Sequence, residues 1–222
     1  MKQEGSPHTP PPRLEELIAA AETVFLAKGY HDATMADIAR QAGMSKRTVY
    51  TLVNSKAELF AELLAHRQSM LRFPEPEPGW SLADTLQAHL TSLAQFLFDP
   101  TQLAITRLVI TEYAHSPDFS RAFLVNRVRK AKAHLEHCLL DMALTHGANR
   151  TEARELAAML FGMALGEFHF SALSGFRASP SAKALEERIK RAVTIFLAGL
   201  CADPGDATPP SQTCGAAPPP GQ

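Results

Sequence analysis

Apolar positions recur at three- and four-residue intervals along most of the chain, and no stretch alternates as a half-buried strand does. Between residues 13 and 28, Leu14, Leu17, Ile18, Ala21, Phe25 and Lys28 recur at helical spacing, and Gly29 is placed to stop the helix. Met35, Ile38, Ala39 and Ala42 make a shorter stripe ending at Gly43, and Val49 and Leu52 point a third segment back toward it. Ser55 and Glu58, at capping-box spacing, open a longer helix running to about Leu71, with Leu59, Phe60, Leu63 and Leu64 as its core face. The stretch FPEPEPGW, Phe73 to Trp80, then breaks helical structure with three prolines and a glycine, which makes it the best domain boundary.

Beyond that boundary every element reads as helical. Ser81 with Asp84 opens a helix through Leu86, Leu90, Leu93 and Leu97. Asp99-Pro100, Ser116-Pro117 and Ser179-Pro180 each put a capping residue before a proline suited to the first turn, so helices are expected near 100, 117 and 180. Thr151 opens another, and Gly147 and Gly175 are natural stops. The pattern predicts an all-α protein of about nine helices, counted from these start and stop signals. Residues 1–12 form a proline-rich flexible arm, 13–72 a helix-turn-helix domain with its motif at 34–53, 80–202 a second helical domain, and 203–222 a disordered tail rich in Pro, Gly and Ala.

The segment from Thr34 to Leu59 carries the distinctive chemistry. Thr34 and Asp37 have capping-box spacing, Gly43 supplies a left-handed turn, and Ser45 caps the next helix. Lys46 and Arg47 occupy the first turn of that helix and Lys56 the first turn of the following one, where the helix dipole prefers acidic residues. From Thr34 to Lys56 four cations stand against one carboxylate, a local balance of +3. A polyanion meeting these helix starts and cations together explains the placement. A solvated face on an ordinary helical hairpin would carry the same charges. The helix–glycine turn–helix spacing decides for a DNA-binding helix-turn-helix.

Leu156 to Leu165 is apolar almost all the way round, and such a helix needs cover on every side. Gly162 and Gly166 offer close approach to a neighbour. The last helix has a stripe at Leu185, Ile189, Ala192, Val193, Phe196 and Leu200. Leu156, Met159, Leu160, Met163, Ile189, Val193 and Phe196 are therefore expected at a two-fold, four-helix dimer interface, although both helices would also serve as core helices of one chain.

The net charge is −1 with 20% charged residues, so any nucleic-acid contact must come from a local patch. Cys138, Cys201 and Cys214 show no metal spacing and cannot all pair internally, which fits a reduced, cytoplasmic setting. No run reaches ~18 uncharged apolar residues and no secretory signal opens the chain, so no membrane partner is expected. His134 and His137, three apart with Cys138 adjacent, offer two ligands on one helix face, but no third or fourth ligand can be placed and no metal or cofactor is expected. His89, Arg107, Tyr113 and His169 are candidate polar anchors of an apolar pocket lined by Phe96, Ile105 and Val109, residues that equally read as core packing. Without a Gly-x-Ser-x-Gly elbow, a phosphate loop or a strand to carry either, catalysis is not expected.

The segment Arg13 to Leu64 resembles the N-terminal domain of the tetracycline-repressor (TetR/AcrR) family of bacterial transcription regulators. The resemblance rests on Thr34, Ile38-Ala39, Ala42-Gly43, Ser45-Lys46, Thr48-Val49-Tyr50, Ser55-Lys56 and Glu58-Leu59. Val53 stands where the family usually has an aromatic residue. The resemblance implies a homodimer on double-stranded operator DNA, a recognition helix from Ser45 to Leu52, and a C-terminal domain that takes a small, largely apolar effector. By position Thr34, Ser45, Tyr50 and Lys56 match phosphate contacts, and Lys46, Arg47, Thr48 and Thr51 match base-edge or mixed contacts. Repression is likewise an implication of the family. A helical, dimeric DNA-binding or partner-binding protein without an effector is the alternative.

Overall fold

The computed structural model describes residues 11–112, 115, 133–140 and 150–201. The arm up to residue 10, the tail from 202, Tyr113, Ser116-Pro117 and Gly147 lie outside the described residues. Among the described residues the chain is helical, with no strand. In chain order the helices are α1 (Pro12–Asp32), α2 (Met35–Gln41), α3 (Lys46–Leu52), α4 (Lys56–Ser69), α5 (Leu82–Leu97) and α6 (Pro100–Glu112). They continue as α7 (133–140), α8 (Arg150–Phe161), α9 (Glu167–Ser174) and α10 (Ala182–Cys201).

Most helix starts follow from the expected caps. Thr34 and Asp37, and Ser81 and Asp84, form complete capping boxes. Ser55 accepts from the Glu58 amide as expected, but the Glu58 carboxylate binds Asn54, whose backbone amide donates to it at 2.7 Å. Gly29 breaks α1 with φ 81°, ψ 166°, and Gly175 ends α9 at φ 75°. The last helix starts two residues later than expected from Ser179-Pro180, because Ser181 caps it through the Ala184 amide at 3.2 Å.

Two apolar cores form. In the first, α1 packs on α2 and α4, burying Leu17, Ile18, Phe25, Ile38, Val49, Leu59, Phe60 and Leu63. Val53 is also buried there, so the smaller side chain keeps the packing role of the aromatic it replaces. Phe25 meets Phe60 edge-on at 5.0 Å and 82°, a geometry worth about 0.5–1.5 kcal/mol beyond area burial. Ile105 and Val109 of α6 belong to this core, not to the pocket expected in the C-terminal region. α6 lies along α1, and beyond its end His115 stacks on His31 with centroids 5.5 Å apart.

In the second core, Leu86, Leu90 and Leu93 of α5 meet Ile189, Val193 and Phe196 of α10, with Leu135 and Leu139 of α7 and Leu160 of α8. The covering of α8 expected from a second chain is thus partly internal. Leu160 (0% exposed), Ile189 (2%), Val193 (0%) and Phe196 (6%) are closed inside one chain and offer a partner no surface. Leu156 and Met163 are half-buried, while Met159 on α8 and Ile195 on α10 face outward, 60% and 54% exposed.

The five residues Gly162–Gly166 between α8 and α9 are wound as a π-helix, so Thr151–Ser174 is one continuous helical rod. Among the described residues, apart from the glycines' chain neighbours and the helix's own backbone, no atom lies within 4 Å of where a Cβ would stand on Gly162 or Gly166. The described residues thus do not use these glycines for a close approach. By length and composition this rod is apolar enough to cross a membrane. It nevertheless carries Glu167, paired with Arg188 at 3.5 Å and Arg177 at 3.8 Å, and its inward side chains join the second core.

Candidate nucleic-acid interface

α3 is held by one buried side chain. Val49 is fully enclosed, and the seven-residue helix is fixed to α2 through it. The opposite face carries Arg47, Tyr50 and Thr51, at the i, i+3 and i+4 positions, with Lys46 beside Tyr50. All four are exposed, Tyr50 at 52%. A large aromatic and two cations thus face water from a helix whose back is locked in the core. Among the described residues neither Lys46 nor Arg47 has a carboxylate partner.

The hydroxyls at this surface are already ordered. Ser45 Oγ accepts from the Thr48 amide at 3.1 Å and lies 2.9 Å from Thr48 Oγ1, while Thr51 Oγ1 donates to the Thr48 carbonyl at 2.6 Å. Thr34 Oγ1 donates to the Asp37 carboxylate at 2.8 Å. Asp37 also receives Lys28 at 2.9 Å and is paired with Arg40. The hydrogen bonds from Lys28, then from Thr34, hold its carboxyl down to about 2 from the usual 3.8. Lys28 was readable only as the end of a helical stripe, since its partner lies on another helix.

Lys56 stands apart from the other candidate phosphate contacts. Its Nζ donates to the carbonyls of Tyr30 (2.8 Å), His31 (3.0 Å) and Ala33 (3.0 Å), and lies 4.7 Å from the centroid of the Tyr30 ring. The cation that looked misplaced at a helix start is a C-terminal clamp on α1, satisfying carbonyls that the helix end leaves open. Tyr30 packs against Phe25 and Phe60, and its phenol is pushed up by burial and by the Glu112 carboxylate.

Residues 17–63 match the family described as bacterial regulatory proteins, tetR family, and residues 84–199 match the AefR-like transcriptional repressor, C-terminal domain. The chain belongs to the TetR family of bacterial transcription regulators. It is 30% identical over 96 residues to the HTH-type transcriptional regulator SrpR of Pseudomonas putida, an alignment covering 43% of this chain and 45% of that one. It is 44% identical over 52 residues to the HTH-type transcriptional activator FasR of Mycolicibacterium smegmatis, covering 23% and 24%. The chain thus spans less than half the length of either relative. In fold it is similar to a putative TetR-family regulator from Mesorhizobium loti, with TM-score 0.68 and 27% identity over 84% of this chain and 96% of that one. The flavonoid-responsive regulator FrrA shares the fold at TM-score 0.70 and 23% identity, with the same coverage.

In this TetR-family chain the described residues of the expected pocket engage different neighbours, and Tyr113 lies outside the described residues. Arg107 of α6 donates to the Ala172 (2.5 Å) and Leu173 (3.0 Å) carbonyls, closing the end of α9. His169 of α9 sits edge-on to Phe98, centroids 5.9 Å apart. His89 lies nine residues before Phe98 on α5, a rise of about 13 Å, and is bound to the Pro74 carbonyl and to Cys138. Phe96 is half-buried on α5. Among the described residues, Arg107 and His169 thus make their contacts around α6 and α9, and His89 makes its contact with α7.

Proposed function

We propose that this chain acts as a cytoplasmic, homodimeric transcriptional repressor that reads a palindromic operator and responds to a small, largely apolar effector. The α3 surface carries the reading: Lys46, Arg47, Tyr50 and Thr51 face outward from a helix whose back is sealed by Val49. In this reading Arg47 takes guanine O6 and N7, Lys46, Thr48 and Thr51 share base-edge and mixed contacts, and Thr34, Ser45 and Tyr50 meet phosphates. Lys56 reaches DNA only by leaving its carbonyls, so its part is to fix α4 against α1. The division into a DNA-binding domain at 13–72 and an effector and dimer domain at 80–202 belongs to the same proposal. Two copies, joined through the outward faces of α8 and α10, would set two α3 helices about one helical turn apart on one side of the duplex.

Selection of bound DNA from random sequence tests this. The expected product is an inverted repeat. Failure to enrich any sequence sinks the proposal. A dimeric DNA-binding protein with no effector is the second reading, favoured by Arg107 and His89 being engaged inside the protein. A thermal-shift screen separates the two, since a ligand that binds the native state raises the melting temperature.

A further inference from the structure

His89 and Cys138 meet from different helices with their protons assigned by geometry. The Pro74 carbonyl can only accept, so His89 Nε2, 3.2 Å away, carries the hydrogen. In the neutral ring that leaves the lone pair on Nδ1, which faces Cys138 Sγ at 3.2 Å. The thiol therefore donates to a fixed base. His89 is 5% exposed, and burial holds its basicity below the ordinary range, which keeps the ring neutral near pH 7. Cys138, on α7, is half-buried. Phe73 and His134, ring centroids 4.0 Å apart, stand beside the pair, and His134 faces His89 at 6.2 Å between centroids. Among the described residues no three His, Cys, Asp or Glu side chains are grouped to hold a metal ion, which leaves the thiol's own chemistry.

We propose that Cys138, with His89 as its general base, is a covalent site for conjugated electrophiles of the α,β-unsaturated carbonyl class. Sγ attacks the β-carbon and forms one S–C bond while the alkene π pair moves toward the carbonyl as an enolate. The thiol proton passes to His89 Nδ1, and the imidazolium returns a proton to the α-carbon. Nothing leaves and no oxidant is consumed.

N-ethylmaleimide is the probe, with labelling of Cys138, Cys201 and Cys214 followed by peptide mass mapping of the full chain. Cys138 should react about tenfold or more faster than Cys214 at pH 7, a modest share of what a positioned base supplies. Its rate should stay nearly level from neutral pH upward, whereas a thiol without a base gains about tenfold per pH unit below its pKa. His89→Gln should bring Cys138 down to the rate and the slope of Cys214. Equal rates for Cys138 and Cys214, a tenfold-per-unit slope in the native chain, or an unchanged profile in His89→Gln would each overturn the proposal. A variant that fails to fold is recognised by its melting curve, and the native pH profile then decides. Labelling is measured without DNA, so its outcome is separate from that of the regulator reading.

Discussion

Arg67, near the end of α4, donates to the same Asp99 oxygen that accepts the Gln102 amide at 2.9 Å and starts α6. One carboxylate thus caps a helix of the C-terminal half and holds a helix of the N-terminal half. Glu22 of α1 stands 3.7 Å from the Arg67 Nε, so three helices meet at this guanidinium, which is 12% exposed. Arg67→Ala should cost about 1–3 kcal/mol of stability in urea unfolding, the range for leaving a buried charge-assisted partner unmade. Asp99→Ala should cost about 1–2 kcal/mol through the lost cap. The double variant should lose less than the sum, because both single changes break one shared contact.

Lys56 separates structural from phosphate-binding cations. Lys56→Met should lower the stability by about 1–3 kcal/mol as three carbonyls lose their donor. The salt dependence of operator binding should keep its slope, since a phosphate contact would take about one unit with it. A reduced slope with unchanged stability would reverse the assignment.

Arg47→Ala should weaken operator binding by about 1–3 kcal/mol and relax the preference at one base position. The side chain is exposed, so the melting temperature should not move. Equal affinity for operator and scrambled DNA in the variant and the parent would remove Arg47 from base readout.

Asp37 gives the α2 region an acid limit. Its folded carboxyl titrates near 2, below the ordinary 3.8, so the stabilisation is complete above pH 4 and is lost as pH falls toward 2. The melting-temperature difference between the native chain and Asp37→Ala should therefore be constant at neutral pH and close below pH 4. A difference that persists at pH 2 would place its origin outside the carboxylate.

The proposed dimer can be tested on residues the fold does not need. Met159→Glu and Ile195→Glu change side chains that are 60% and 54% exposed, so the helical signal should remain while sedimentation reports a monomer. Val193→Glu, at a fully enclosed position, should instead unfold the chain. Dimers surviving both surface changes would move the interface elsewhere.

Local chemistry was legible in the sequence. Thr34, Ser45, Ser55 and Ser81 cap where their spacing predicts, because a cap is decided within four residues. The outward face of α3 followed from Val49 and Leu52 in the same way. Partners distant in the chain were not legible. Lys56 finds carbonyls more than twenty residues away, Arg107 finds α9, and Cys138 meets His89 of another helix, forty-nine residues away. Pattern alone also cannot say whether an apolar stripe meets its own chain or another, which is why Leu160, Ile189, Val193 and Phe196 were placed at an interface. The π-helical turn at Gly162–Gly166 left only a pair of glycines as its trace.

Because Ile105 and Val109 complete the first core, the DNA-reading helices are not a detachable head. A fragment ending in the proline-rich stretch would leave an apolar socket on α1 open to water, forgoing about 1.5–3 kcal/mol for each of the two missing side chains. The proline-rich boundary in the chain is thus not a boundary in cooperativity. The two halves share α6 as a common structural member, and melting one removes a wall of the other.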